Sequence, residues 1–216
     1  MPKDAKQPDP GYLEPYREAV HSFGPGFEAL LWRNAAYQRT RFEVLAEVTR
    51  PKGRIVADIG AGLGDMLTYM NETNQAPLKY IGVEGIGELA ESAKQKLPET
   101  TWLVADFVRD VKLFERLVNE HNVSVLVFSG SLNTLDERTA LAVLGRAWDA
   151  LHSRTGGVLA FNFLSSAGRL RRESTGPANR FRSANVFKWA QRASGRMLYR
   201  QDYLGPHDAT VAVYAK

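Results

Sequence analysis

The chain has 216 residues, 44% of them hydrophobic and 10% aromatic, with a formal net charge of +4. That length holds one ordinary core, and the balance argues against collagenous, disordered and membrane-spanning classes, since no apolar run approaches the roughly 18–20 residues of a span. Cysteine is absent, which excludes disulfides, a thiolate nucleophile and cysteine-ligated zinc, and which suits a reducing compartment.

The opening "MPKDAKQPDP" lacks the apolar centre of a signal peptide, so a cytoplasmic location is expected. Residues 1–15, rich in Pro, Lys and Asp, read as a mobile tail. Residues 27–48 place Leu30, Leu31, Phe42, Leu45 and Ala46 at mostly helical spacing and stop before "RPKG", a helix end and turn; residues 16–50 are therefore read as a helical segment preceding a domain over 51–216. From there strands are expected at 54–59, 79–84, 101–106, 123–129 and 157–163, separated by helices near 63–73, 86–97, 110–120 and 135–152. Asn133 and Thr134 are candidate caps for the last of these, whose Leu141, Leu144, Trp148 and Leu151 share a face. Near-continuous apolar strands alternating with helices imply a parallel sheet covered on both sides. After a helix at 183–194, two strand-like runs, 196–204 and 209–216, are joined only by "GPHD", too short for a parallel crossover, so the last strand must be antiparallel. The fold class is α/β: a doubly wound, seven-stranded, mostly parallel sheet with an antiparallel C-terminal strand.

In such a sheet ligands bind beyond the carboxyl ends of the strands. Those ends carry Asp58 and Gly60, Glu84, Asp106, Ser129 to Asn133, and Asn162 to Ser166 in turn. The first strand runs into "VADIGAGLGD", residues 56–65, with Gly60, Gly62 and Gly64 spaced two apart. A dinucleotide fingerprint would have its last glycine where Asp65 stands, and an acid in the first turn of a helix repels phosphate. The loop better suits a ligand with a carboxylate and an amine. Glu84, at the tip of the second strand, can accept both hydroxyls of a ribose, a feature that nicotinamide proteins share. His21, His121, His152 and His207 have no metal-ligand spacing, and no metal site is read.

The D-x-G-x-G-x-G loop, the strand-end acids and the terminal hairpin together resemble the class I S-adenosylmethionine-dependent methyltransferases, a Rossmann-like fold. "GP-x6-W" at residues 24–32 and "DY" at 202–203 are similar to stand-alone bacterial members of undefined substrate. The resemblance implies S-adenosylmethionine as cofactor, with the methionine portion against Gly60, Gly62 and Gly64, its amino group held with the help of Asp58, and the adenine amino group at Asp106 with Phe107 packed on the base. It implies that residues 16–50 lid the cofactor, offering Trp32, Tyr37, Gln38 and Arg41, the last a partner for the methionine carboxylate. Ser129 joins the cofactor set. The fourth strand is followed by "SGSLNTL" in place of the Asn/Asp-Pro-Pro-aromatic run that grips base amines and glutamine amides, which argues against those acceptors. Ser131 and Asn133 there can orient a substrate oxygen or serve as turn and cap residues.

Transfer from a sulfonium is an in-line displacement with a good leaving group, so positioning supplies much of the rate. Candidate catalytic residues are His207 and Tyr203, clustered with Asp208 in "QDYLGPHDA", and Asn133; the same loop is also ordinary hairpin chemistry. Between Ser166 and Arg200 nine bases face one acid, a charge of +8 against −4 for the remainder. Arg169, Arg171, Arg172, Arg180 and Arg182 can form a lid gripping a small anionic substrate, or, with Phe181, Phe187 and Trp189 interleaved, hold a nucleic acid. The expected function is methyl transfer to an oxygen or nitrogen of a small, anionic metabolite. An RNA methyltransferase and a non-catalytic cofactor-binding protein are the alternatives.

Overall fold

The computed structural model describes residues 10–167 and 176–216. Seven strands, β1 (Ile55–Ile59), β2 (Lys79–Glu84), β3 (Thr101–Val104), β4 (Val125–Phe128), β5 (Val158–Leu164), β6 (Met197–Arg200) and β7 (Asp208–Tyr214), form one sheet in the order β3-β2-β1-β4-β5-β7-β6. β1 pairs in parallel with β2 and β4, β2 with β3, and β4 with β5. β7 runs antiparallel to both its neighbours, β5 and β6, as the short connection before it requires. The strand order reverses between β1 and β4, which opens a crevice at their carboxyl ends.

The helices are α1 (Glu14–Phe23), α2 (Ala35–Thr49), α3 (Asp65–Glu72), α4 (Gly87–Lys96), α5 (Leu113–Asn119), α6 (Glu137–Leu151) and α7 (Ser183–Ala193). Alternate strand residues serve opposite layers. Leu126 and Phe128 pack with Phe114 and Leu117 of α5, Leu144 and Trp148 of α6, and Val186 and Ala190 of α7, whereas Val125 and Val127 pack with Phe42 and Leu45 of α2 and Met66 and Met70 of α3. Each such side chain larger than alanine contributes about 2 kcal/mol on burial. A smaller cluster, Ala19, Ala29, Leu63, Ile86 and Leu89, fastens the N-terminal segment to the glycine loop and α4.

Three expectations change. The single helix over 27–48 is broken: a 3-10 turn at Phe27–Leu30 ends at Leu31 with φ 57°, and α2 starts afresh under Asn34, whose side chain accepts from the Tyr37 amide at 2.9 Å. The cap of α6 is Asp136, which accepts from the Thr139 amide at 2.9 Å; Asn133 instead closes a turn, its amide donating to the Gly130 carbonyl at 3.1 Å. The mobile tail expected over residues 1–15 is shorter, since Pro10–Tyr12 form a 3-10 turn and Tyr12 is buried in the main core. Residues 1–9 lie outside the described residues. Among the described residues no helix is long and apolar enough to cross a membrane.

Candidate cofactor site

A cavity of about 340 Å³ opens above the carboxyl ends of β1 to β5, a size suited to a small molecule. Its floor is the loop after β1. Gly60 has φ 73°, and a Cβ there would stand 2.3 Å from the Ser131 Cβ, so only glycine lets the β1 and β4 loops approach this closely. Gly62 and Gly64 are also left-handed.

Glu84 is locked beneath this loop. Its Oε2 accepts from the Gly62 amide at 2.8 Å and its Oε1 from the Ile86 amide at 2.9 Å. Burial pushes its carboxyl up, and the two amides oppose that push. Each oxygen keeps a second lone pair for a ligand hydroxyl. Asp58, buried at the tip of β1, accepts the Tyr80 hydroxyl on Oδ2 at 2.6 Å, while its Oδ1 has no partner. Burial raises its pKa to about 7 against the lowering effect of Tyr80, and the charges of Glu84 and Asp65 raise it further. An unpartnered buried carboxylate oxygen is costly unless a ligand donates to it.

Asp106 and Phe107 follow β3 and line the same cavity. The Asp106 Oδ1 caps its own turn, accepting from the amides of Val108 and Arg109 at 2.9 and 3.2 Å, and Oδ2 accepts the Tyr12 hydroxyl at 2.5 Å. The Phe107 ring also belongs to the core, edge-on to Phe128 at 5.9 Å. Ser129 Oγ, Ser131 Oγ and Asn133 Oδ1, all after β4, are buried without partners in the cavity wall.

The roof comes from the N-terminal segment. Trp32 rests on Gly130, where a Cβ would come within 2.8 Å of its ring, and the Arg41 guanidinium lies 4.8 Å from the Trp32 ring centroid. Arg41 Nε donates to Asp208 Oδ1 at 2.6 Å in a buried pair. Gln38 donates to Asp65 at 3.2 Å, and Lys96 pairs with that acid at 2.7 Å. Replacing Asp208 with asparagine leaves Arg41 buried without its counter-charge, and is expected to lower the unfolding free energy by about 3 kcal/mol, read from the urea midpoint.

Of the catalytic candidates, Asn133 and His207 line the cavity and Tyr203 does not: its hydroxyl is 2.7 Å from Thr210 Oγ1. His207 Nε2 stands 3.6 Å from Asp208 Oδ2. In the basic window, Arg169, Arg171 and Arg172 lie outside the described residues. Arg180 lines the cavity, with Nη1 donating to the Ser165 carbonyl at 3.1 Å, whereas Arg182 heads α7 and its amide donates to Glu137. The aromatic platform for bases is corrected. Phe181 stacks on Phe163 in the core at 5.9 Å and Trp189 meets Phe161 edge-on at 5.7 Å, leaving Phe187 exposed.

Tyr12 and Tyr16 are cavity residues that the sequence reading missed, because they fell in or beside the presumed tail. Burial, with the charge of Glu84, pushes the Tyr16 hydroxyl up to about 12. The apolar spacing of Tyr12, Tyr16, Ala19 and Val20 was the available signal.

No protein-family model matches the chain. A trans-aconitate 2-methyltransferase of Azoarcus sp. (strain BH72) is 28% identical over 187 residues, covering 80% of this chain; the chain spans 64% of that relative's length. Among solved structures, a TehB-like SAM-dependent methyltransferase of Corynebacterium glutamicum superposes with a TM-score of 0.55 at 19% identity, over 95% of this chain and 96% of that one. The phosphoethanolamine N-methyltransferase 1 of Haemonchus contortus, solved with phosphoethanolamine and S-adenosylhomocysteine, gives 0.64 at 16% identity, over 95% of this chain and 49% of that one.

Proposed function

We propose that this chain, which has the fold of the class I S-adenosylmethionine-dependent methyltransferases, binds S-adenosylmethionine and transfers its methyl group to an oxygen or nitrogen of a small anionic metabolite in the cytoplasm. The observation that carries the reading is the pair of carboxylates at the ends of β1 and β2: Asp58 with one oxygen unpartnered, and Glu84 pinned by loop amides with lone pairs to spare. The curated relative's name gives it an acidic substrate, trans-aconitate, which supports an anionic acceptor.

The cofactor, when bound, supplies a methyl group on a positively charged sulfur. This chain's residues hold and orient. Asp58 Oδ1 receives the ammonium, and Glu84 receives the ribose hydroxyls with both oxygens already aimed by Gly62 and Ile86. Asp106 Oδ2 keeps one lone pair beside Tyr12 for the adenine amino group. Arg41 has Nε committed to Asp208 and its other N–H groups for the methionine carboxylate. Trp32 and Leu30, over the loop, exclude water. His207, beside Asp208, is placed to take a proton from an acceptor that must lose one.

Two measurements test this. Calorimetry is expected to give 1:1 binding of S-adenosylhomocysteine, and methyl-labelled S-adenosylmethionine is expected to label the small-molecule fraction of a cell extract. Binding of NADH in place of S-adenosylhomocysteine would overturn the cofactor assignment, and nuclease-sensitive label would overturn the acceptor class.

A further inference from the structure

The cavity is divided by charge along the sheet. Of its lining residues, the carboxylates Asp58, Glu84 and Asp106 stand at the ends of β1, β2 and β3 and Asp65 at the start of α3, while Arg180 lies beyond β5, Arg33 belongs to the N-terminal segment, and Arg41 is paired to Asp208 at the start of β7. Among the described lining residues the one carboxylate away from the β1–β3 ends and α3 is Asp208, whose Oδ1 is held by Arg41 and whose Oδ2 has no hydrogen-bond partner, so a cationic amine acceptor would find no counter-charge there beyond that already neutralised pair. An anion would find three neutral polar atoms without partners, Ser129 Oγ, Ser131 Oγ and Asn133 Oδ1; an amide turned about its last bond offers its NH2 in place of its oxygen.

We infer that the methyl acceptor is a small acid with at least two anionic groups: one carboxylate lodged against Ser131 and Asn133 and methylated there, and a second anionic group held by Arg180 and Arg33. The inference rests on the methyltransferase reading above and deepens it. Neutral hydroxyl and amide donors orient the reacting carboxylate without cancelling the charge that makes it a nucleophile, and the arginines hold the group that does not react. A carboxylate is ionised at neutral pH and needs no base. An oxygen lone pair forms the new carbon–oxygen bond as the carbon–sulfur bond breaks and its electrons stay on sulfur; the products are a methyl ester and S-adenosylhomocysteine, and no proton moves.

The two anchor points are physically joined. The Asn179 amide donates to the Asn133 carbonyl at 2.6 Å, and the next residue is Arg180, itself held by the Ser165 carbonyl. Arg33, also a lining residue, holds its guanidinium 5.0 Å from the Tyr37 ring centroid.

The test begins with the small-molecule extract and methyl-labelled S-adenosylmethionine. The expected product is retained on an anion-exchange resin by its remaining charge and gives up its label as volatile methanol in alkali, as an ester does. The mass of the acid released then says whether the second group is a carboxylate or a phosphate. Arg180→Ala and Arg33→Ala are expected to weaken calorimetric binding of that acid to the protein–S-adenosylhomocysteine complex by about tenfold each, with melting temperature and S-adenosylhomocysteine affinity unchanged. Alkali-stable label, label that passes the resin, no small-molecule label, or unchanged binding in both variants overturns the inference. Loss of S-adenosylhomocysteine binding by the unaltered protein overturns the reading beneath it instead.

Discussion

Glu84→Ala is expected to weaken S-adenosylhomocysteine binding by about 3 kcal/mol, roughly two orders of magnitude in Kd. Two losses add. The ribose hydroxyls lose charged acceptors, and the amides of Gly62 and Ile86 lose the oxygens that hold them at 2.8 and 2.9 Å, so the glycine loop is no longer preset for the ligand. Glu84→Gln separates these terms: it keeps one acceptor oxygen and the shape of the site but turns a donor toward one of the amides, and an intermediate loss is expected. Calorimetry on both variants, with melting temperatures as the control for folding, checks the pair. Unchanged affinity in a folded alanine variant would remove Glu84 from the ribose.

The second large effect is on pH. Asp58 is raised to about 7 chiefly by burial, so near and below neutrality the free protein holds it largely protonated, while an ammonium ligand selects the ionised form. Affinity for S-adenosylhomocysteine is therefore expected to fall as pH drops below about 7, approaching tenfold per unit, and to level off above it. Stability runs the other way. A folded-state pKa above the unfolded value means that the contribution is complete below the unfolded value and is lost as pH rises through the folded one, so the free protein is weakened at pH 8. Asp58→Asn, which keeps an acceptor for Tyr80, is expected to flatten the affinity profile at a low level and to stabilise the free protein at pH 8 by about 2 kcal/mol. Calorimetry between pH 5.5 and 8 and urea unfolding at pH 8 read the two halves. A steep profile that survives in Asp58→Asn would move the titration to another group.

The sheet and the acids at its strand ends were legible because they depend on local pattern. The strand over 79–84 has the bounds its apolar run suggested, and Asp58 and Glu84 line the cavity because strand ends must. What was hidden depends on partners far along the chain. Tyr12 and Asp106 are 94 residues apart, and Arg41 and Asp208 are 167 apart; no spacing rule predicts either bond. In the basic window it was the aromatic side chains that the pattern misplaced: Phe181 and Trp189 pack on the Phe163 and Phe161 rings of the core, and α7 turns Val186 and Ala190 inward with them. The break at Leu31 escaped because leucine seldom adopts a left-handed backbone.

The seating of β7 between β5 and β6 bears on how the molecule is made. It is the last strand of the sheet in chain order, and seven of its residues pair with β5. While the ribosome has yet to release residues 208–214, β5 presents an open edge of seven unpaired positions, and Arg41, synthesised long before, waits without Asp208. Nascent chains thus carry an open hydrophobic edge from the synthesis of Leu164 until that of Asp208–Tyr214, the state that holdase chaperones recognise. A stop codon shortly before residue 208 would leave both the sheet unsealed and the roof unlatched, so premature termination should yield degraded or aggregated fragments with no half-active enzyme among them.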